Sequence, residues 1–175
     1  MNFFLIAIFY SLSGFFMKYS DDEYDENSNK LKAVILGIIC GLVTGFVSTI
    51  NQDAACIFIA VLLANLIALK VDGIHHLATL ITFVGILVLL GFPVISFFTL
   101  VICIIGAFID EIGNDNDKLY SKGKFFKYFF EYRFTLKVVI FILAISGFLN
   151  IESFIAFLLF EISYEFAGIL FKKLN

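Results

Sequence analysis

Residues 32–69 read KAVILGIICGLVTGFVSTI, NQD, AACIFIAVLLANLIAL: two long apolar runs parted only by Asn51, Gln52 and Asp53. At about 1.5 Å per residue each run makes a helix long enough to approach the roughly 30 Å hydrocarbon core of a bilayer. A three-residue polar turn between two such runs predicts a membrane hairpin.

The rest of the chain has the same character. Apolar residues make up 61% of the 175, charged residues 15%, and the mean hydropathy is +1.01. A soluble domain has about 45–50% apolar and about 25% charged residues. Soluble enzymes are excluded on this balance, and 15 acids against 12 bases leave no basic footprint for nucleic acid. Cys40, Cys56 and Cys103 stand singly in apolar runs without C-x-x-C spacing, so they read as small fillers. The run from Met1 to Met17 has no preceding Lys or Arg and no A-x-A-like site after it, so it reads as a retained span rather than a signal peptide.

Apolar runs fall at about 2–17, 32–50, 54–69, 77–92, 94–109, 134–149 and 152–171. They predict an all-α polytopic membrane protein with seven transmembrane helices in one transmembrane domain, 1–175. Residues 18–31 form an acidic loop read as solvated. Residues 110–133 form a second loop, in which Lys122, Lys124, Lys127 and Arg133 alternate with Phe125, Phe126, Tyr128, Phe129, Phe130 and Tyr132 as in an interfacial anchor. A tight hairpin at Gly91, Phe92 and Pro93 is preferred to one kinked helix, which would be about 50 Å long.

With seven spans, all 12 Lys and Arg residues, from Lys18 to Lys173, fall on one side and none on the other. The positive-inside rule then puts the N-terminus outside and the C-terminus in the cytosol of a multi-pass cell-membrane protein. The layout also admits parallel repeats in a three-plus-one-plus-three plan, each with a polar inner loop and a tight outer turn, Asn51-Gln52-Asp53 or Asn150-Ile151-Glu152.

Ionisable groups near the hydrocarbon are costly and therefore informative. Asp72, His75 and His76, at i, i+3 and i+4, share a face if helix 4 starts near Asp72, and suit a divalent metal or proton transfer. Capping of that helix by Asp72 is the plainer alternative. Asp110, Glu111, Asn114 and Asp115, followed by Asp117, put hard oxygen ligands at a helix C-terminus, where the macrodipole disfavours acids; they are the expected Mg²⁺ or Mn²⁺ ligands, with no organic cofactor indicated. Glu161 and Glu165, one turn apart in the last span with Tyr164 beside them, should look into the bundle as proton carriers or as interhelical glue. Arg133, Lys122 and Lys124 are expected to grip phosphate.

Asp72-Gly73 is similar to the opening of the CDP-alcohol phosphotransferase signature, but the Ala-Arg pair and later aspartates are absent, so no role is carried over. The leading expectation is a divalent-metal-dependent enzyme acting on an isoprenoid or glycerolipid phosphate, with membrane lipid as its partner. Catalytic roles fall to His75, His76, Glu161 and Glu165. A transporter or channel coupled through Glu161 and Glu165, and a structural subunit, homo-oligomeric or in a membrane complex, are the other readings.

Overall fold

The computed structural model describes residues 2–174, apart from the side chain of Asp117. The chain is 83% helical, with no strand among the described residues. Its helices are α1 (Phe3–Asp25), α2 (Lys30–Ile50), α3 (Gln52–Ile67), α4 (Ile74–Leu90), α5 (Phe97–Asn114), α6 (Asp117–Tyr120), α7 (Lys124–Glu131), α8 (Phe134–Ile145) and α9 (Ile151–Leu174). Four of them, α1, α2, α5 and α9, are long and apolar enough to cross a membrane. Three more, α3, α4 and α8, are apolar but shorter, with 16, 17 and 12 residues. Large apolar side chains stand outward on many of these helices, among them Val88, Leu89 and Phe97 at 78–80% exposure. Lipid accepts such a surface and water does not.

Local signals set several boundaries. Asn29 Oδ1 accepts the Lys32 N–H at 3.2 Å at the start of α2, and Asn51 Oδ1 accepts the Ala54 N–H at 2.7 Å at the start of α3. Both satisfy a donor left orphaned by a helix N-terminus. Ser96 does the same for α5, 3.3 Å from the Thr99 nitrogen. The expected break near Pro93 is present as residues 91–96, with Gly91 at φ +76 ending α4. It is not a packed hairpin, because α4 lies against α2 rather than α5.

The largest departure from the sequence reading is at 18–31. Helix α1 runs on to Asp25, and Asp22 and Glu23 are buried rather than solvated. Lys18 pairs with Asp22 one turn on at 2.7 Å, and Lys32 of α2 pairs with Glu23. Hydropathy falls at residue 18, yet nothing there stops a helix before Asn27, Ser28 and Asn29, where Ser28 adopts a positive φ of 53.

Helices α9, α1, α2, α3, α5 and α8 pack in that order, and α8 returns to α9 to close the circuit. Helix α4 lies apart on α2. Exchanging α1, α2 and α3 for α5, α8 and α9 carries α1–α9 onto α5–α3, α1–α2 onto α5–α8, and α2–α3 onto α8–α9. The centre is filled from α3, where Asp53 to Phe58 are buried without interruption. Tyr10, Phe58, Phe157 and Phe160 pack together there, with ring centroids 4.9–5.9 Å apart along the chain of contacts and only Phe157 and Phe160 stacked.

Two close approaches shape the bundle. Gly37, Gly41 and Gly45 form a stripe at every fourth residue of α2, and a Cβ at the first two would stand 2.7 Å from the carbonyl oxygens of His75 and Thr79. Small residues at this spacing let two helix backbones touch. Thr79 Oγ1 donates across the contact to the Gly37 oxygen at 3.0 Å. Gly14 similarly lets α1 meet α9, where a Cβ would overlap the Phe160 oxygen.

Candidate functional site

A cavity of about 260 Å³ opens in the bundle at the end where α1, α3, α5 and α9 finish and α2, α4 and α8 begin. Phe58, Phe157 and Phe160 belong to its lining, and the α2–α3 and α8–α9 turns lie at the opposite end of the bundle. There Asp53 ties two turns together: Oδ2 accepts the Asn150 N–H at 2.7 Å, the Asn150 Nδ2 at 2.8 Å and the Ser153 hydroxyl at 2.7 Å. The two turns at that end are thereby joined through a buried carboxylate.

The cavity wall gathers polar groups from six helices or their ends: Asp21 of α1, Asn65 of α3, Asp72 and His76 at the start of α4, Asp110, Glu111 and Asn114 of α5, Arg133 at the start of α8, and Glu161 and Tyr164 of α9. Lys70 is also on its wall. In a low-dielectric setting such groups are tolerated only where they pair or bind something.

The acidic end of α5 is dispersed among separate partners. Asp110 is 1% exposed, and its two oxygens accept the Thr135 and Leu136 N–H groups at 2.9 and 2.7 Å, capping α8 from outside its own sequence. Glu111 accepts Arg133 Nε at 3.0 Å. Asn114 Oδ1 accepts the Tyr120 hydroxyl at 2.9 Å, and Asp115 accepts Lys70 Nζ at 2.6 Å. The expected Asp110, Glu111, Asn114 and Asp115 ligand set therefore does not converge on one point. Spacing along one helix could not reveal that α8 and the α3–α4 connection would supply a separate donor to each. Asp117, in the same run, has a side chain outside the described residues.

Helix α4 starts at Ile74, before the apolar run at 77 but after Asp72, so the condition that would put Asp72 on the face of the histidines is not met. Its N-cap is Gly73, with no side-chain cap, and Asp72 lies exposed before it. Asp72 thus neither caps α4 nor shares a helical face with the histidines, although it remains on the cavity wall. The carboxylate beside the histidines is Asp21, with Oδ1 3.3 Å from His75 Nε2 and 3.8 Å from His76 Nδ1. Asp21, His75 and His76 are the one trio of metal-ligand type found among the described residues, with ligand atoms all within 4.8 Å of one another.

In α9, Glu161 pairs with Lys137 of α8 at 3.0 Å, both largely buried. Glu165 does not face inward; it is exposed. Glu161 lines the cavity and Glu165, one turn on, does not. Tyr164 is flanked by cations, with Lys18 Nζ 5.6 Å and Arg133 Cζ 6.0 Å from its ring centroid. Burial opposes the charge of Arg133, but Tyr164 and Glu111 beside it more than compensate, and its pKa lies above the ordinary value. Lys122 and Lys124 are exposed and are not part of the cavity wall, Lys124 opening the aromatic helix α7.

Sequence reasoning missed Asp21, Lys137 as the partner of Glu161, and Asp53. For Asp21 a signal existed: the Lys18 and Asp22 spacing of one helical turn extends α1 past the apolar run, which places Asp21 on a helix instead of a loop. The chain matches no protein family, no curated protein and no solved structure.

Proposed function

We propose that the protein is a membrane-embedded, divalent-metal-dependent enzyme acting on an isoprenoid or glycerolipid phosphate from the cytosolic leaflet. The observation that carries this reading is the cavity, in which acids, a histidine and two cations from six elements meet at the one bundle end bearing the chain's bases. In this reading seven helices cross the membrane, with α3, α4 and α8 spanning through their polar flanks and the basic end facing the cytosol. Arg133 and Lys70 hold the phosphate oxygens, and the lipid tail leaves between helices. Asp110, Glu111, Asn114 and Asp115 act as a frame: they fix the start of α8, Arg133, Tyr120 and Lys70. Lys122 and Lys124 sit among headgroups with the rings of α7.

The test is thermal unfolding of the detergent-purified protein against polyprenyl phosphate and phosphatidate, followed by turnover of whichever binds. A bound ligand at about 100 times its Kd adds about 2.7 kcal/mol, a readable shift. Wild type should gain stability and turn the lipid over, and Arg133→Ala should lose both while remaining folded. No shift and no turnover with any lipid phosphate would sink the reading.

The second reading is a small transporter, favoured by the exchange that maps α1, α2 and α3 onto α5, α8 and α9 and leaves α4 as linker. The exchange is compatible with a three-plus-one-plus-three plan, and transporters built on such repeats bind cargo between them. Glu161, paired with Lys137, would then couple the movement. Flux in liposomes that stops in Glu161→Gln would support it; absence of flux for protons and cations would exclude it.

A further inference from the structure

His75 is 2% exposed, and neither ring nitrogen makes a hydrogen bond. Nδ1 is sealed behind Gly73, where even a methyl group would come within 2.5 Å of it. Only Nε2 faces other ligand atoms, and it lies 3.3 Å from Asp21 Oδ1 without hydrogen-bond geometry. A buried imidazole that served only as the partner of a carboxylate would aim its N–H at the oxygen, because an unmade bond there costs about 1–3 kcal/mol.

We infer that Asp21, His75 and His76 form a mononuclear Zn²⁺ site on the wall of the cavity. Ligand atoms about 2.0–2.1 Å from a tetrahedral zinc lie about 3.3–3.4 Å from one another. Asp21 Oδ1 is 3.3 Å from His75 Nε2 and 3.8 Å from His76 Nδ1. The three ligand atoms all lie within 4.8 Å of one another, and rotation of Asp21 and of His76, the more exposed histidine, is needed to bring the set to those separations. Two imidazoles and one carboxylate suit zinc, whereas Mg²⁺ prefers an all-oxygen shell. The neighbours hold the ligands in place: the Tyr24 ring stacks on His75 at 4.3 Å, and the glycine stripe of α2 seats the first turn of α4. Asp21 and His76 line the cavity, so the remaining coordination position faces it, the arrangement of a catalytic rather than a structural zinc. The role of that open position rests on the lipid-phosphate reading above; the binding of zinc does not.

The experiment loads the full chain in detergent, stripped with chelator, with Zn²⁺, Mg²⁺ or Mn²⁺ and measures bound metal by elemental analysis after gel filtration. Co²⁺ is added as a spectroscopic probe. Wild type should retain one Zn²⁺ per chain in preference to the other two and show the visible absorption of four-coordinate Co²⁺. Asp21→Asn and His76→Ala should each weaken zinc by about 100-fold or more, since even partners of ligands commonly contribute 10–100-fold. Asp72→Asn, on the cavity wall but outside the trio, should bind as wild type does. No retained zinc in wild type overturns the inference, as does equal retention by Asp21→Asn and His76→Ala. Zinc retention without lipid-phosphate turnover refutes only the enzymatic reading, and lipid-phosphate turnover by a wild-type protein that retains no zinc when loaded refutes only this one.

Discussion

A carboxylate buried in this bundle is tolerated because donors from a distant part of the chain meet it, and Asp53 is the clearest case. It takes three hydrogen bonds from Asn150 and Ser153, about a hundred residues on, at 5% exposure. Asp53→Ala leaves those donors without an acceptor and should cost about 3 kcal/mol, measurable by denaturant or thermal unfolding in detergent. Ser153→Ala removes one donor and should cost about 1 kcal/mol. Asp110→Ala exposes the Thr135 and Leu136 N–H groups to an apolar interior and should cost about 2 kcal/mol, with amide exchange rising at the first turn of α8. At this scale the sequence marked most of the polar residues as unusual but assigned their partners by adjacency. Asp110 and Glu111 looked like co-ligands because they are neighbours in the chain. Their actual partners, Leu136 and Arg133, come from another helix.

Helices in this chain are set by apolar runs and ended by Asn, Ser and Gly, which is why seven of the nine described helices coincide with runs visible in the sequence. Where the boundary depended on polarity alone it moved: α1 gained the turns to Asp25, because Lys18–Asp22 and Lys32–Glu23 pairs neutralise acids that would otherwise demand water. The contact of α2 with α4 was legible in principle from Gly37, Gly41 and Gly45. Gly41→Leu should separate these helices, destabilise the protein by about 1–3 kcal/mol and, by releasing the first turn of α4, weaken zinc retention. Gly85→Ala, where a Cβ meets nothing within 4 Å, should leave stability unchanged or slightly raised in the same assay.

For the whole molecule, the proposed seven-span topology makes a definite statement about sides. On a background with Cys40, Cys56 and Cys103 changed to Ala, single Asn27→Cys and Lys122→Cys substitutions should react with an impermeant maleimide only from the cytosolic face. Phe92→Cys should react only from outside. All three positions are exposed. Labelling of Phe92→Cys and Lys122→Cys from the same face would mean that α5 does not cross, and the orientation argument would fall with it.

What the sequence determined by itself follows from solvent preference, a property each residue carries alone. Apolar runs bounded by Asn, Gly and Lys predict helices and where most of them begin, and the one-sided distribution of Lys and Arg predicts an orientation. Convergence is different. Which carboxylate stands beside His75, whether Asp110 has a partner, and whether Glu165 turns inward depend on the angles and offsets at which helices cross, and those arise from close contacts such as Gly37 on His75 and Gly14 on Phe160. Tertiary structure therefore replaced Asp72 with Asp21 at the histidines, because side chains from elements far apart in the chain meet only once the backbones have packed.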